Sequence, residues 1–165
     1  MSKTIEDLKE AFAGESMANR RYLAYAEKAD KDGNPQVARL FRAAAAAEAI
    51  HATNHLRTLG EIQDLADNLK VAIAGENYEH SQMYPAFIED AQADGHQKAL
   101  NVFEWAMAVE KEHEALFQAA LDTLKDSDDS YDYYICPVCG HTHPRTAPDK
   151  CPVCGVSGAR FLRVH

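Results

Sequence analysis

Cysteine is missing from the first 135 residues; all four lie beyond that point, in two C-x-x-C pairs. In a chain with no visible export signal, that spacing reads as a metal site rather than a set of disulfides. Long apolar runs are also lacking. No stretch approaches 18 apolar residues, so nothing is expected to span a membrane. The amphipathic start MSKTIEDLKEAF has no apolar core of the kind a signal peptide needs, which makes the cytoplasm the expected compartment. Positive charge is scarce: 17 Lys and Arg stand against 26 Asp and Glu, for a net charge of −9. That balance argues against nucleic acid or an anionic membrane as the main partner. What remains is 46% apolar, enough to bury a core in one domain with a small annex.

Two phrases repeat. Glu48-Ala-Ile-His51 returns 62 residues later as Glu110-Lys-Glu-His113, and Ala11-Phe-Ala-Gly-Glu15 returns 61 residues later as Ala72-Ile-Ala-Gly-Glu76. Tyr22 follows Glu15 at +7, whereas Tyr84 follows Glu76 at +8. The first 125 residues thus read as two copies of one unit, a helix carrying A-G-E followed by a helix carrying E-x-x-H. Residues at i and i+3 share a helix face. Two Glu helices plus two Glu-x-x-His helices are the side-chain set of a carboxylate-bridged di-metal site in a ferritin-like four-helix bundle.

The periodicity predicts helices over 4–31, 35–59, 67–93 and 97–124, with Thr4 and Asp67 as N-caps, stops at Gly33 and Gly60, and a local kink at Pro85. The 3.6-residue stripes run through Leu8, Phe12, Glu15 and Tyr22; through Leu40, Phe41, Ala44, Glu48 and His51; through Leu69, Ile73, Glu76, Glu79, Met83 and Phe87; and through Phe103, Met107, Glu110, His113 and Phe117. Five carboxylates on inward stripes are untenable unless neutralised, and two divalent cations would neutralise them. Glu79 has no counterpart in the first copy, where Ala18 stands, so the site is formally asymmetric. His55, His80 and His96 are assigned to the surface or to no role.

After the helices comes an acidic stretch, 126–133, read as a solvated tether between a helical domain at 1–125 and a metal domain at 134–165. Cys136-Pro-Val-Cys139-Gly140 and Cys151-Pro-Val-Cys154-Gly155 each form a knuckle in which Gly takes the positive-φ position. Four thiolates suit zinc or a single iron, and the motif alone leaves the metal open.

On these motifs (AFAGES, EAIH, AGENYEHSQMYP, EKEH and both CPVCG knuckles) the chain resembles the rubrerythrin family over nearly its whole length. The resemblance implies a di-iron bundle fused to a rubredoxin-like domain, with iron in the four-cysteine site. It implies ligation by Glu15, Glu48, His51, Glu76, Glu79, Glu110 and His113, with Tyr22 and Tyr84 standing behind the ligands. It also implies reduction of hydrogen peroxide, with electrons drawn from NAD(P)H through a separate reductase or rubredoxin-type carrier. Two other readings compete: a ferroxidase or iron-handling protein, and a non-enzymatic zinc module. A connection of only seven residues, 60–66, is too short for comfort between parallel helices, so a homodimer that exchanges helix pairs, or a higher oligomer, is expected. The distance along helix four from His113 to its end suggests that the four-cysteine iron serves another subunit.

Overall fold

The computed structural model describes residues 2–125 and 129–165. The chain divides into two compact units, Met1–Gln63 and Asp64–His165, a boundary that falls where the sequence repeat begins again.

The first unit is a helical hairpin of α1 (Lys3–Lys31) and α2 (Pro35–Leu59). The N-cap of α1 is Ser2 rather than Thr4: its carbonyl accepts the N–H groups of Ile5 and Glu6 at 3.0 and 3.3 Å, and its side chain makes no cap bond. Gly33, at φ 74°, reverses the chain, and Pro35 opens α2, where its missing N–H costs nothing. Gly60, at φ 73°, ends it.

The seam between these helices is built from alanine. Ala26 and Ala29 of α1 and Ala38, Ala45 and Ala52 of α2 are buried, the last three spaced by sevens. Small side chains let the backbones approach, and Asn19 Nδ2 donates to the Ala45 carbonyl at 2.7 Å across the gap. The expected stripe is corrected at one position: Leu40 is 66% exposed, whereas Phe41 beside it packs on Tyr22 and Tyr25 of α1.

The second unit begins with α3 (Leu65–Tyr78). Its cap is Asp64, whose side chain accepts from the Asp67 N–H at 2.9 Å, so Asp67 lies inside the first turn instead of before it. The connection between α2 and α3 is therefore five residues, 60–64, shorter than expected. α3 runs into a π turn (Glu79–Met83), in which the Tyr84 N–H reaches back to the Glu79 carbonyl, and then into α4 (Tyr84–Ala93). The kink expected at Pro85 is thus realised as a widened turn just before it. α5 (Gln97–Asp122) is capped by His96, whose ring accepts from the Ala99 N–H at 3.2 Å. His80, expected at the surface, lies 2.6 Å from Glu114 and is mostly covered.

A three-stranded antiparallel sheet completes the unit, in the order β2 (Thr142–Pro144), β1 (Tyr133–Ile135), β3 (Leu162–Val164). Tyr133, assigned to the tether from sequence, is the first residue of β1. Residues 126–128 of that tether lie outside the described residues. The remainder is tied down: the Asp132 carbonyl accepts from the Arg145 N–H at 2.7 Å, its carboxylate accepts from Arg163 Nε at 2.6 Å, and the Arg145 guanidinium covers the Tyr131 ring at 4.3 Å. These cations supply the counter-charge that a free acidic tether would have left to solvent.

Candidate metal centres

Three clusters of metal-ligating atoms stand out among the described residues, each with its donor atoms within 4.8 Å of one another: Glu15, Glu48 and His51; Glu76, Glu110 and His113; and Cys136, Cys139, Cys151 and Cys154.

The first two are copies of one arrangement. In each, the E-x-x-H helix brings a histidine Nδ1 to the carboxylate one turn earlier. His51 Nδ1 lies 2.9 Å from Glu48 Oε2, and His113 Nδ1 lies 2.7 Å from Glu110 Oε2. The A-G-E helix adds the third donor, with Glu76 Oε1 at 3.9 Å from His113 Nδ1. The carboxylates are half-buried in both. The histidines differ: the His51 side chain is 54% exposed, that of His113 only 26%.

Electrostatics in the second triad show that the carboxylates cannot all stay ionised unaided. Burial, and then the adjacent Glu110 carboxylate, push Glu76 up to about 7, against the opposing pull of His113. Glu79 is raised by burial and by Glu110. The Tyr84 hydroxyl is raised by burial and then by Glu110, Glu79 and Glu76, which places it within the field of the same group. Its hydrogen bond to Glu110 raises His113 despite burial. A divalent cation resolves this crowding, since it favours the ionised carboxylates and the neutral imidazole at once. Glu79, the first residue of the π turn, lies outside the triad itself but within its electrostatic reach. π turns are frequent where a helix must re-aim a functional side chain. Tyr22, in the first unit, packs against Phe41 at 6.0 Å and Tyr25 at 6.5 Å.

The four cysteines carry no disulfide. Cys136 and Cys154 Sγ atoms are 3.5 Å apart, as are those of Cys139 and Cys151. A tetrahedron with metal–sulfur bonds of about 2.3 Å has edges of roughly 3.8 Å, so the donors fit. Gly140 and Gly155 adopt φ of 86° and 77°, as the knuckles require, and their N–H groups bond the Cys136 and Cys151 carbonyls at 3.0 and 2.9 Å. Burial pushes the Cys136 thiol up, but the Cys139 and Val138 N–H groups and neighbouring sulfurs bring it down to about 7, while burial raises Cys139. His141, between the knuckle and β2, pairs with Glu112 through Nδ1.

One contact within the second unit was not foreseen. Thr142, on β2, meets His113, with Oγ1 2.9 Å from Nε2. The chain's own four-cysteine domain therefore reaches a triad histidine.

The fold and sites define an all-α, ferritin-like class of carboxylate- and histidine-bound metal protein carrying a four-cysteine domain. The rubrerythrin family model matches residues 6–121, and the rubrerythrin rubredoxin-like domain model matches residues 134–162. The chain is 40% identical to rubrerythrin-2 of Clostridium acetobutylicum, over 96% of this chain and 95% of that protein. It is 38% identical to nigerythrin of Nitratidesulfovibrio vulgaris, over 93% of this chain and 83% of that one. A solved structure of fully reduced, all-ferrous nigerythrin superposes with a TM-score of 0.60 at 36% identity, covering 99% of this chain and 88% of that one. The chain belongs to the rubrerythrin family. Its cofactors are accordingly a di-iron centre and a single iron on four cysteines, and its chemistry is that of an oxidoreductase.

Proposed function

We propose that this protein is a non-haem di-iron peroxidase of the cytoplasm that reduces hydrogen peroxide to water, drawing electrons through the four-cysteine iron from a separate NAD(P)H-linked reductase or rubredoxin-type carrier. The observation that carries this reading is the duplicated Glu/Glu/His geometry, with a further carboxylate, Glu79, set beside only one of the two copies by the π turn.

Glu15, Glu48 and His51 of one triad and Glu76, Glu110 and His113 of the other would hold the two irons, the histidines through Nδ1. When bound, the two irons supply the electrons of H2O2 + 2e⁻ + 2H⁺ → 2H2O and polarise the peroxide as Lewis acids. Glu79 is held above the ordinary carboxylate range by burial and by Glu110, which fits it to carry a proton to a departing oxygen. Tyr84, within the field of the same carboxylates, orients them from behind, and Tyr22 does so in the other copy. Cys136, Cys139, Cys151 and Cys154 hold the iron that relays electrons one at a time.

The two triads together with Glu79 make one seven-ligand set, and we assign its assembly to a dimer that exchanges hairpins. From His51 to Leu59 and from Leu65 to Glu76 the helices run about 28 Å in all. A five-residue connection spans at most about 20 Å, too little to return the chain for parallel packing of α2 and α3. Light scattering of the iron-loaded protein is expected to give a dimer or a multiple of one; a monomer with an intact di-iron spectrum refutes the exchange. For the activity, stopped-flow oxidation of the reduced protein is expected to be much faster with peroxide than with O2. The reverse order would turn the reading toward a ferroxidase.

A further inference from the structure

We propose that Thr142 is a positioning residue that fastens the four-cysteine knuckle to His113, holds that histidine in its ligating tautomer, and gives electrons a route to the di-iron centre within one chain. The inference rests on the proposed entry of electrons through the four-cysteine iron.

The hydroxyl has one proton, and the Gly140 carbonyl lies in reach to accept it. Thr142 Oγ1 donates to the Gly140 carbonyl at 3.1 Å. Toward His113 Nε2, at 2.9 Å, it can then only accept, so Nε2 carries a hydrogen. A cation that replaces the proton shared by Nδ1 and Glu110 then meets the Nδ1 lone pair, on the side of the ring that faces Glu110 and Glu76. A histidine that ligates a metal through one nitrogen commonly donates its other N–H to a fixed acceptor, which sets the ring's orientation. Here the acceptor comes from the other metal domain.

The surroundings hold Thr142 in place. Gly140 follows Cys139 directly, and a Cβ built on Gly140 would lie 3.8 Å from Val109 Cγ1, so the knuckle rests on α5. Val109 is fully buried there. His141, buried beside it, pairs through Nδ1 with Glu112, the residue before His113. The path from the Cys139 sulfur is covalent as far as the Gly140 carbonyl. Two hydrogen bonds, through Thr142, then reach the His113 ring. Each crossing moves one electron: the four-cysteine iron goes from ferrous to ferric and one ferric ion of the pair becomes ferrous. The external one-electron carrier then re-reduces the four-cysteine iron, and two crossings restore the pair.

Two measurements on the full chain test this. In ¹⁵N-histidine spectra of protein loaded with zinc at all sites, wild type and Thr142→Ser are expected to show a His113 Nε2–H signal protected from exchange, and Thr142→Val to lose that protection. In the iron-loaded, fully reduced protein, peroxide is expected to bring back the red colour of the four-cysteine iron roughly 10-fold more slowly in Thr142→Val, with Thr142→Ser near wild type. The direct reaction of peroxide with the di-iron pair, followed separately, is expected to slow less than the return of colour does in Thr142→Val. An unprotected His113 Nε2–H in wild type, or a Thr142→Val protein that regains colour at the wild-type rate, overturns the inference whether or not the valine variant folds well. Wild type that fails to react with peroxide at all defeats the proposed activity instead, and the ¹⁵N result still decides the role of Thr142 as a hydrogen-bond anchor.

Discussion

Emptying the carboxylate site while leaving the four-cysteine metal in place should make this protein less stable as the pH rises from 5 to 8. Glu76 titrates at 4.5 in the unfolded chain and at about 7 in the folded one, raised by burial and by Glu110. A raised carboxyl binds more protons in the folded state between those values, so stability falls as pH climbs through the window and the full cost is present above about 7. At roughly 1.4 kcal/mol per pH unit the shift would cost about 3 kcal/mol in a dry site, and solvent screening at this half-buried carboxylate brings it to about 1–2 kcal/mol. His113 acts in the same direction. Its folded value is raised chiefly by the hydrogen bond to Glu110, so the stability it lends below 6.5 is lost as pH rises through that raised value. Glu79, raised by burial, adds to the trend. Urea unfolding followed by the emission of Trp105, on α5, would measure it. Selective chelation should reveal the loss between pH 5 and 8, ferrous or zinc ions should abolish it, and Glu76→Gln should flatten most of it. A stability that rises over this range, or a glutamine variant with the wild-type slope, would refute the account of how these side chains are crowded.

Three further outcomes are expected. Glu79→Ala should retain both irons by metal analysis but slow peroxide reduction by about 100-fold, as loss of a proton carrier does; an unchanged rate removes Glu79 from the mechanism. Gly158→Ala should prevent the four-cysteine domain from taking up metal, because a Cβ there would stand 1.6 Å from the Pro148 carbonyl oxygen, a backbone atom with no flexible end to yield; a normal visible spectrum would contradict this. Asp64→Ala should cost about 1 kcal/mol of the second unit's stability through loss of the α3 cap, with Asp64→Asn losing much less in the same urea titration.

Much of this was legible because the ligands obey helical spacing. E-x-x-H places its two donors one turn apart on any helix, and the structure duly brings His51 to Glu48 and His113 to Glu110. The knuckles were equally plain, since C-P-V-C-G prescribes its own turn. What escaped notice depended on contacts distant in sequence or on competition between neighbours. Asp64 and Asp67 are both good caps, and only the backbone decides between them. The alanine seam of α1–α2 competes with a stripe of larger residues that looked more like a core. The pairings of Thr142 with His113 and of His141 with Glu112 join residues 29 apart, and no local pattern announces them. The π turn did leave a trace, in the spacing from Glu to Tyr of seven in one copy and eight in the other.

That single extra residue is absorbed by the π turn, so the helix beyond it keeps its face. Tyr84 and Phe87 meet Phe103 just as Tyr22 and Tyr25 meet Phe41 in the first half. The offset between the copies accordingly steps from 61 at Glu76 to 62 at Tyr84 and stays there through Glu110 and His113. The second hairpin thus gains a carboxylate at Glu79 while keeping its aromatic anchors in place.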